Sequence, residues 1–494
     1  NISFPSLSTS TAGTSNLRLG LNAGNSIASG GNQNVLLGNE AGTAITTGDE
    51  NVFVGFQSGD ALIDGTFNVA IGSNSLTADT KGKKSVAVGT NALSTQNFTT
   101  LTDTFNVAVG HSAGTAITTG AFNNLIGGLA GDALTVGTRN VALGNSALST
   151  DTKGSKSVAI GPNALFTQNF TTATDNFNTA VGADAGLSIT TGVENTIIGG
   201  RAGDALTDAD KNVAVGSEAL SADTLGSNST AVGRAALANQ NFTTATDSFN
   251  TAVGANAGVE VTTGISNTLI GGQSGDALTD ADDNVAVGRL ALSTDTLGSK
   301  STAVGRGALK TQNFTTATDS NNTAVGYSAG EAVTTGTDNT LIGTLCGDAI
   351  TDGNTNTAVG SFALTTNQRG DRNTAIGHEA LKTLNPSGDV DTYNTAVGYQ
   401  SGKAITTATV NTLIGALSGD AMTTAEENTA VGYQSLGTAT KSDNNVAIGN
   451  SALGALNHTT QTNSFNTGVG YAAGAALTTG IDNTIIGGLA GDAL

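Results

Sequence analysis

The residues best suited to chemistry are few and far apart in the sequence. The histidines are His111, His378 and His458, and Cys346 is the single cysteine. Acid–base and nucleophilic catalysis need such groups side by side, and the spacing builds no Ser/His/Asp or Cys/His group. We expect exposed histidines, a small buried Cys346, no catalytic residue and no enzymatic activity.

Aspartate recurs at intervals of 72 residues. The series consists of Asp60, Asp132, Asp204, Asp276, Asp348, Asp420 and Asp492. Two carboxylates form a hydrolytic pair only when they are ~5–10 Å apart. If 72 residues correspond to four turns of a coil, as argued below, neighbours in the series are ~19 Å apart. We therefore interpret the series as turn-forming residues.

Oxygen ligands cluster in two acidic loops, at Asp208 with Asp210 and at Asp280 with Asp282 and Asp283. Calcium takes six to eight oxygens and often uses such loops. The equivalent segments 136–138 and 424–427 do not keep the pattern. We expect solvated loops, with no metal and no cofactor, and keep calcium as the alternative.

One short motif runs through nearly the whole chain: Asn or Ser, three mostly apolar residues, then Gly. Its glycine falls at Gly38, Gly55, Gly72, Gly89 and Gly110, so the steps of 17, 17, 17 and 21 residues add up to 72. The motif occurs 27 times from Gly20 onward. Regular spacing of this kind is typical of solenoids, in which each unit buries its apolar face against its neighbours.

The composition favours an extended repeat protein. The 494 residues include 68 Gly, 3 Pro and no Trp, and aromatics make up 4%. A formal charge of −20 disfavours nucleic acid and anionic membranes as partners. No apolar stretch approaches the ~20 residues that span a bilayer, so we expect no membrane insertion.

The motif predicts a β-strand with two apolar faces. Runs such as Val86-Ala87-Val88 are β-branched and too short for helices. We expect the residue before the glycine to point into the coil and the middle residue to face outward, since side chains alternate along a strand. The middle residue is Ala, Leu or Ile in almost every copy, so both faces need a cover. A second copy of the chain is the simplest cover.

The copies Ser85–Gly89, Ser157–Gly161 and Asn445–Gly449 resemble head repeats of YadA-type trimeric autotransporter adhesins. The longer unit from Asn394 to Gly402 is similar to repeats in bacteriophage tail fibres. This resemblance implies a left-handed parallel β-roll and a homotrimer. We thus predict an all-β parallel solenoid of 17- and 21-residue coils in a 72-residue super-repeat, assembled as a trimeric fibre.

The 21-residue coils carry aromatic residues at two positions seven apart, both filled by Phe in the first three such coils, and these aromatics are candidate receptor-contact residues. They are Phe98, Phe105, Phe170, Phe177, Phe242, Phe249, Phe314, Tyr393 and Phe465. Aromatics beside threonine hydroxyls suit weak sugar contacts that gain strength by repetition. The alternative, which we favour, is that the phenylalanines fold back to seal the enlarged coil or lock adjacent chains together.

We predict an N-terminal lead-in at residues 1–15 and a continuous solenoid shaft at residues 16–494, which stops in mid-repeat. The expected function is the shaft of a phage tail fibre, located in the virion, that mediates attachment to a host glycan or outer-membrane receptor. The alternatives are a bacterial surface adhesin or extracellular matrix filament, and a glycan-cleaving tailspike.

Overall fold

Three-residue strands, one in each coil, are the main elements of the protein. A computed structural model describes residues 12–493. These residues form two compact units, the first ending at Ser248 and the second beginning at Phe249. All regular elements in this range are β-strands, and the pairings within each unit are parallel. The prediction of an all-β parallel solenoid is therefore confirmed. Of the predicted lead-in, residues 1–11 lie outside the described range, and Thr14 hydrogen bonds to Asn32 in the following coil.

The first unit contains thirteen three-residue strands and six two-residue strands. In chain order they are β1 (Leu17–Leu19), β2 (Val35–Leu37), β3 (Val52–Val54), β4 (Val69–Ile71), β5 (Gly82–Lys83), β6 (Val86–Val88), β7 (Thr102–Asp103), β8 (Val107–Val109), β9 (Asn124–Ile126), β10 (Val141–Leu143), β11 (Gly154–Ser155), β12 (Val158–Ile160), β13 (Thr174–Asp175), β14 (Thr179–Val181), β15 (Thr196–Ile198), β16 (Val213–Val215), β17 (Gly226–Ser227), β18 (Thr230–Val232) and β19 (Thr246–Asp247).

The second unit contains fourteen three-residue strands and again six two-residue strands. They are β20 (Thr251–Val253), β21 (Thr268–Ile270), β22 (Val285–Val287), β23 (Gly298–Ser299), β24 (Thr302–Val304), β25 (Thr318–Asp319), β26 (Thr323–Val325), β27 (Thr340–Ile342), β28 (Thr357–Val359), β29 (Gly370–Asp371), β30 (Thr374–Ile376), β31 (Val390–Asp391), β32 (Thr395–Val397), β33 (Thr412–Ile414), β34 (Thr429–Val431), β35 (Ser442–Asp443), β36 (Val446–Ile448), β37 (Thr462–Asn463), β38 (Thr467–Val469) and β39 (Thr484–Ile486).

Coils of either length stack with equivalent motif residues in register. Ala142 of β10 lies opposite Leu125 of β9 on one side and Ala159 of β12 on the other. The four extra residues of a 21-residue coil are accommodated before the next strand, where a two-residue strand such as β13 pairs with β11. The repeat therefore places each motif position in a column along the stack.

The motif glycine is required by the backbone that follows each strand. Gly254 has φ +140, a conformation that residues with a side chain rarely adopt. A Cβ there would lie 2.5 Å from the carbonyl oxygen of Gly271 in the next coil. Close coil-to-coil contact thus explains why this position is glycine in every copy.

The motif asparagines form a buried ladder. The backbone N–H of Asn51 donates to Oδ1 of Asn34 at 3.0 Å, and Asn51 Nδ2 donates to the carbonyl of Gly65 at 3.0 Å. Both asparagines are fully buried. Each side chain ties a strand entry to the next coil and to the far corner of its own coil, which satisfies buried polar groups.

The middle residue of each strand, and not the residue before the glycine, points into the core. Leu125 and Ala252 are fully buried, whereas Ile126 and Val253 are 41% and 36% exposed. Our expectation for the two faces was therefore wrong. Alternation puts the second and fourth motif residues on one face, but it does not say which face is inside.

Large core residues come from two alternative positions of the coil. Ile117 and Leu134, each seven residues after a motif glycine, are fully buried in their coils. Leu148 and Leu165, four residues after the glycine, fill the core in the next two coils with φ of +55 and +51. Where the leucine comes early, the later position is free for a polar residue.

Adjacent substitutions on β9 test this arrangement. We expect Leu125→Ala to lower the free energy of unfolding by about 2–5 kcal/mol, because it leaves a cavity in a closely packed core. Ile126→Ala, on the outward face, should cost less. Urea unfolding of the two variants measures the difference, and a larger loss for Ile126→Ala would restore the opposite orientation of the strand.

Candidate functional site

The outward face of the main strands is an apolar stripe. It consists of the second and fourth motif residues, which are Val or Thr and Val, Ile or Leu, respectively, in most copies. The fourth residues are half-exposed, with Ile270 and Ile414 at 38% and 41%. We call this surface of each unit the outward stripe. A repeated apolar surface of this kind indicates an interaction site.

The two aromatic positions of the enlarged coils have different environments. The first residue of the pair is buried at Phe98, Phe170, Phe242 and Phe314. The Phe242 ring packs over Gly226, where an added Cβ would lie 2.8 Å from the ring atom Cδ2. The favoured interpretation, that these rings seal the coil, holds for the first residue.

The second residue of each pair projects from the surface. Phe105, Phe177, Phe249, Tyr393 and Phe465 are all exposed, with positive φ values between +47 and +53. Of the candidate receptor-contact residues, only these five are therefore accessible from solvent.

A buried polar network closes each of the first four enlarged coils. Gln168 Nε2 donates to Asp151 Oδ2 at 2.6 Å and to Ser157 Oγ at 2.9 Å. Asn178 Nδ2 donates to Gln168 Oε1 at 2.9 Å. Burial raises the pKa of Asp151, while the bond from Gln168 opposes that shift.

The same network recurs with matched residue changes. It is formed by Asp79, Ser85 and Gln96; by Asp223, Ser229 and Gln240; and by Asp295, Ser301 and Gln312. In the next two super-repeats the three positions are Asn367, Asn373 and Leu384, then Ala439, Asn445 and Leu456. The polar donor, its acceptor and the motif serine therefore change together.

Sequence reasoning missed this network although the signal was present. The motif begins with Ser only at Ser85, Ser157, Ser229 and Ser301, and in each case a Gln follows eleven residues later. A serine leaves room for the incoming glutamine amide and accepts a hydrogen bond from it. The co-occurrence predicts a contact between the two residues.

The aspartates spaced by 72 residues lie in turns, which confirms their interpretation as turn residues. Burial raises the pKa of Asp60, Asp204, Asp276 and Asp420, and it raises the pKa of Asp348 to about 6. In Asp204, Asp276 and Asp348 the buried Oδ1 has no hydrogen-bond partner. Burial outweighs the hydrogen bond from each residue's own backbone, so the charged form is disfavoured.

The acidic loops make coil-to-coil hydrogen bonds. Asp208 Oδ1 accepts from Thr191 Oγ1 at 2.5 Å, and Asp210 Oδ1 accepts from the N–H of Val193 at 2.8 Å. Asp280 and Asp282 repeat the arrangement with Thr263 and Ile265. Within residues 12–493, no three His, Cys, Asp or Glu side chains are grouped so that they could hold a metal ion.

The histidines and the cysteine lie apart from one another in the fold. His111 and His378 are exposed, but His458 is buried, so the expectation of exposure was wrong for His458. His458 takes the place of the first Phe, and its Nδ1 lies 2.8 Å from Ser442 Oγ. Cys346 is buried as expected, and burial raises its thiol pKa to about 12.

The chain matches no protein-family model and no curated protein. Among the described residues there is no helix with the length and apolar character needed to cross a bilayer.

The polar network can be tested with substitutions that compensate for one another. Gln168→Leu should lower the free energy of unfolding by about 1–3 kcal/mol, because Asp151 and Ser157 lose their buried donor. Adding Asp151→Asn and Ser157→Asn reproduces the combination at Asn367, Asn373 and Leu384, and should restore most of the loss. Denaturant unfolding of the single and triple variants measures the coupling. Purely additive losses would contradict a shared network.

The raised pKa of Asp348 predicts a pH dependence with a defined sign. The folded protein binds the proton at a pKa of about 6, compared with an ordinary value of 3.8. Stability should therefore rise as the pH falls from about 6 toward 4, and be lowest above 6. Asp348→Asn should be more stable than the parent at pH 7 and no more stable near pH 4.

Thermal unfolding across this pH range measures the effect of Asp348→Asn. Asp132→Asn is the matched variant, since Asp132 occupies the same turn position but accepts a hydrogen bond from Ser149 Oγ at 2.6 Å. That variant should lose stability at pH 7. A gain for both variants would show that the unpartnered oxygen of Asp348 is not the cause.

Proposed function

We propose that the chain is a non-enzymatic structural and adhesive fibre, the shaft of a bacteriophage tail fibre that mediates attachment to a host cell. The observation that carries the proposal is the outward stripe on each solenoid unit. A solenoid that repeats one apolar surface coil after coil suits side-by-side assembly into a fibre. The assignment to phage is based on the similarity of residues 394–402 to tail-fibre repeats.

A homotrimer follows from the same surface together with the resemblance. Half-exposed residues such as Ile126, Ile270 and Ile414 repeat at equivalent positions, so identical chains offer one another identical rows of apolar side chains. Three copies around a common axis cover all of their stripes in a closed ring. The number three is taken from the resemblance to trimeric adhesin heads.

In this proposal the protein acts mechanically and by multivalency. The shaft holds a receptor-binding tip away from the virion, and weak contacts along its side add up because they are repeated in three chains. The proposed partner is a glycan or an outer-membrane receptor of the host. No cofactor, metal or catalytic residue is part of this function.

The principal rival is a bacterial surface adhesin or matrix filament with the same solenoid. Fold alone does not separate the two, since one architecture serves both. Immunogold electron microscopy with an antibody against the repeat separates them on native material. Label on fibres that project from virions is expected. Label on bacterial envelopes or free filaments would overturn the phage assignment.

Charges on the outward stripe should prevent assembly. The double variant Ile270→Lys with Ile342→Lys would place two ammonium groups against apolar side chains of the neighbouring chains, and the desolvation cost is high. We therefore expect the variant to sediment as a monomer and the parent as a trimer in sedimentation-velocity experiments. Thr262→Lys with Thr334→Lys, on exposed turns of the coils directly before those strands, is the matched control and should remain trimeric. A parent chain that sediments as a monomer would contradict the trimer itself.

A further inference from the structure

The residue before each motif Asn or Ser adopts a left-handed conformation and forms a surface column along the coils. Phe105, Phe122 and Lys156 occupy it with φ of +48, +63 and +65. The position also accepts Ser266 and Asp338, so the fold does not require an aromatic there. Bulky residues with positive φ are uncommon, and a Phe whose ring stays exposed contributes little burial energy to the fold.

Only aromatics and cations nevertheless occupy this position in six successive coils of the first unit. The cation–aromatic column consists of Lys84, Phe105, Phe122, Arg139, Lys156 and Phe177. Lys84 Nζ lies 4.8 Å from the centroid of the Phe105 ring, and the Phe105 and Phe122 centroids are 5.7 Å apart at an interplanar angle of 22°. Arg139 lies over Phe122 at 5.7 Å, and Lys156 over Phe177 at 4.7 Å.

This stacking determines what the column presents to solvent. The faces of the Phe105 and Phe122 rings are turned along the column toward each other and toward Lys84 and Arg139, so the half-exposed parts are the ring edges. An aromatic edge carries partial positive charge. Ring edges and cationic groups together form a surface that favours anions.

The charge of the surrounding segment also favours binding of anions. Residues 81–177, which span the column, contain six Lys or Arg and four Asp, a formal charge of +2, whereas the whole chain carries −20 and the remainder therefore −22. One of the four aspartates, Asp151, is fully buried. Lys84 and Lys156 pair with Asp103 and Asp175, and Arg139 has its ring contact with Phe122.

We propose that the cation–aromatic column binds an acidic polysaccharide, with carboxylate or sulfate groups on the cations and sugar rings along the aromatic edges. Coils repeat at ~4.8 Å, which is comparable to the length of one pyranose unit, so a linear glycan can keep in step with the column. The proposal rests on the attachment function above and names the class of glycan it would use.

The spacing of the cations favours a glycan over nucleic acid. Lys84 and Arg139 are three coils apart, ~14 Å, and Arg139 and Lys156 are neighbours. Double-stranded DNA carries one charge per ~1.7 Å, a spacing much closer than that of these cations. A uronic-acid polymer, with one charge per sugar at most, matches the sparser cations.

Binding of the full chain to polygalacturonate, measured by calorimetry at low and at physiological salt, tests the proposal. We expect binding that weakens with salt, and no binding of neutral dextran or of duplex DNA. Phe105→Ser with Phe122→Ser, and separately Arg139→Gln with Lys156→Gln, should each weaken binding about tenfold. Serine is compatible with the backbone, as Ser266 shows.

Matched controls occupy the equivalent position in coils of the second unit where an aromatic and a cation are not neighbours. Phe465→Ser replaces a ring that is 54% exposed, compared with 46% for Phe105, and Lys300→Gln replaces a lysine that is followed in the next coil by Asn321. Both should bind like the parent. Unchanged affinity in the two double variants, or equal binding of dextran or DNA, would overturn the proposal.

Sedimentation of the same variants excludes a subunit contact. A lower mass for Phe105→Ser with Phe122→Ser would assign the column to assembly and overturn the glycan site. The binding and sedimentation results do not bear on the fibre assignment, because immunogold labelling locates the chain independently of glycan binding.

Discussion

Stacking of each coil on the next at a fixed register is the constraint on which the rest of this protein depends. The buried asparagine ladder holds that register. The Asn51 side chain, for example, accepts a hydrogen bond from the backbone N–H of Asn68 in the next coil and donates one to the carbonyl of Gly65 at a corner of its own coil. A shift by one residue would break every such bond and turn the core residues outward. The repeat is faithful because each coil must fit two neighbours at once.

Variation is confined to the positions that the register leaves free. A core leucine at Leu148 or Leu165 removes the need for one three residues later, and the vacated place becomes the buried network of Asp151 and Gln168. The surface of the coils also has a free position, since the residue before the motif Asn can carry almost any side chain. The fold thus separates columns that keep it together from columns that can carry function.

The electrostatics follow the same division. Carboxylates in partly buried turns, such as Asp348, have raised pKa values because burial removes water and Oδ1 gains no hydrogen-bond donor in its place. Local cations collect near Phe105 and Phe122, in a segment of opposite sign to the chain as a whole. A solenoid lets such segments differ in charge because each coil contacts only its neighbours.

The sequence by itself determined the strands, the coil lengths, the turn role of the spaced aspartates and the burial of Cys346, since all of these follow from periodicity and residue type. Only the tertiary structure decided which strand face is the core. A three-residue strand apolar on both sides, like Asn124–Ile126, fixes the alternation but not its direction, which depends on how the chain turns at the glycine. Likewise, Phe170 and Phe177 look equivalent in sequence, but in the folded coil only Phe170 is buried and Phe177 is 52% exposed.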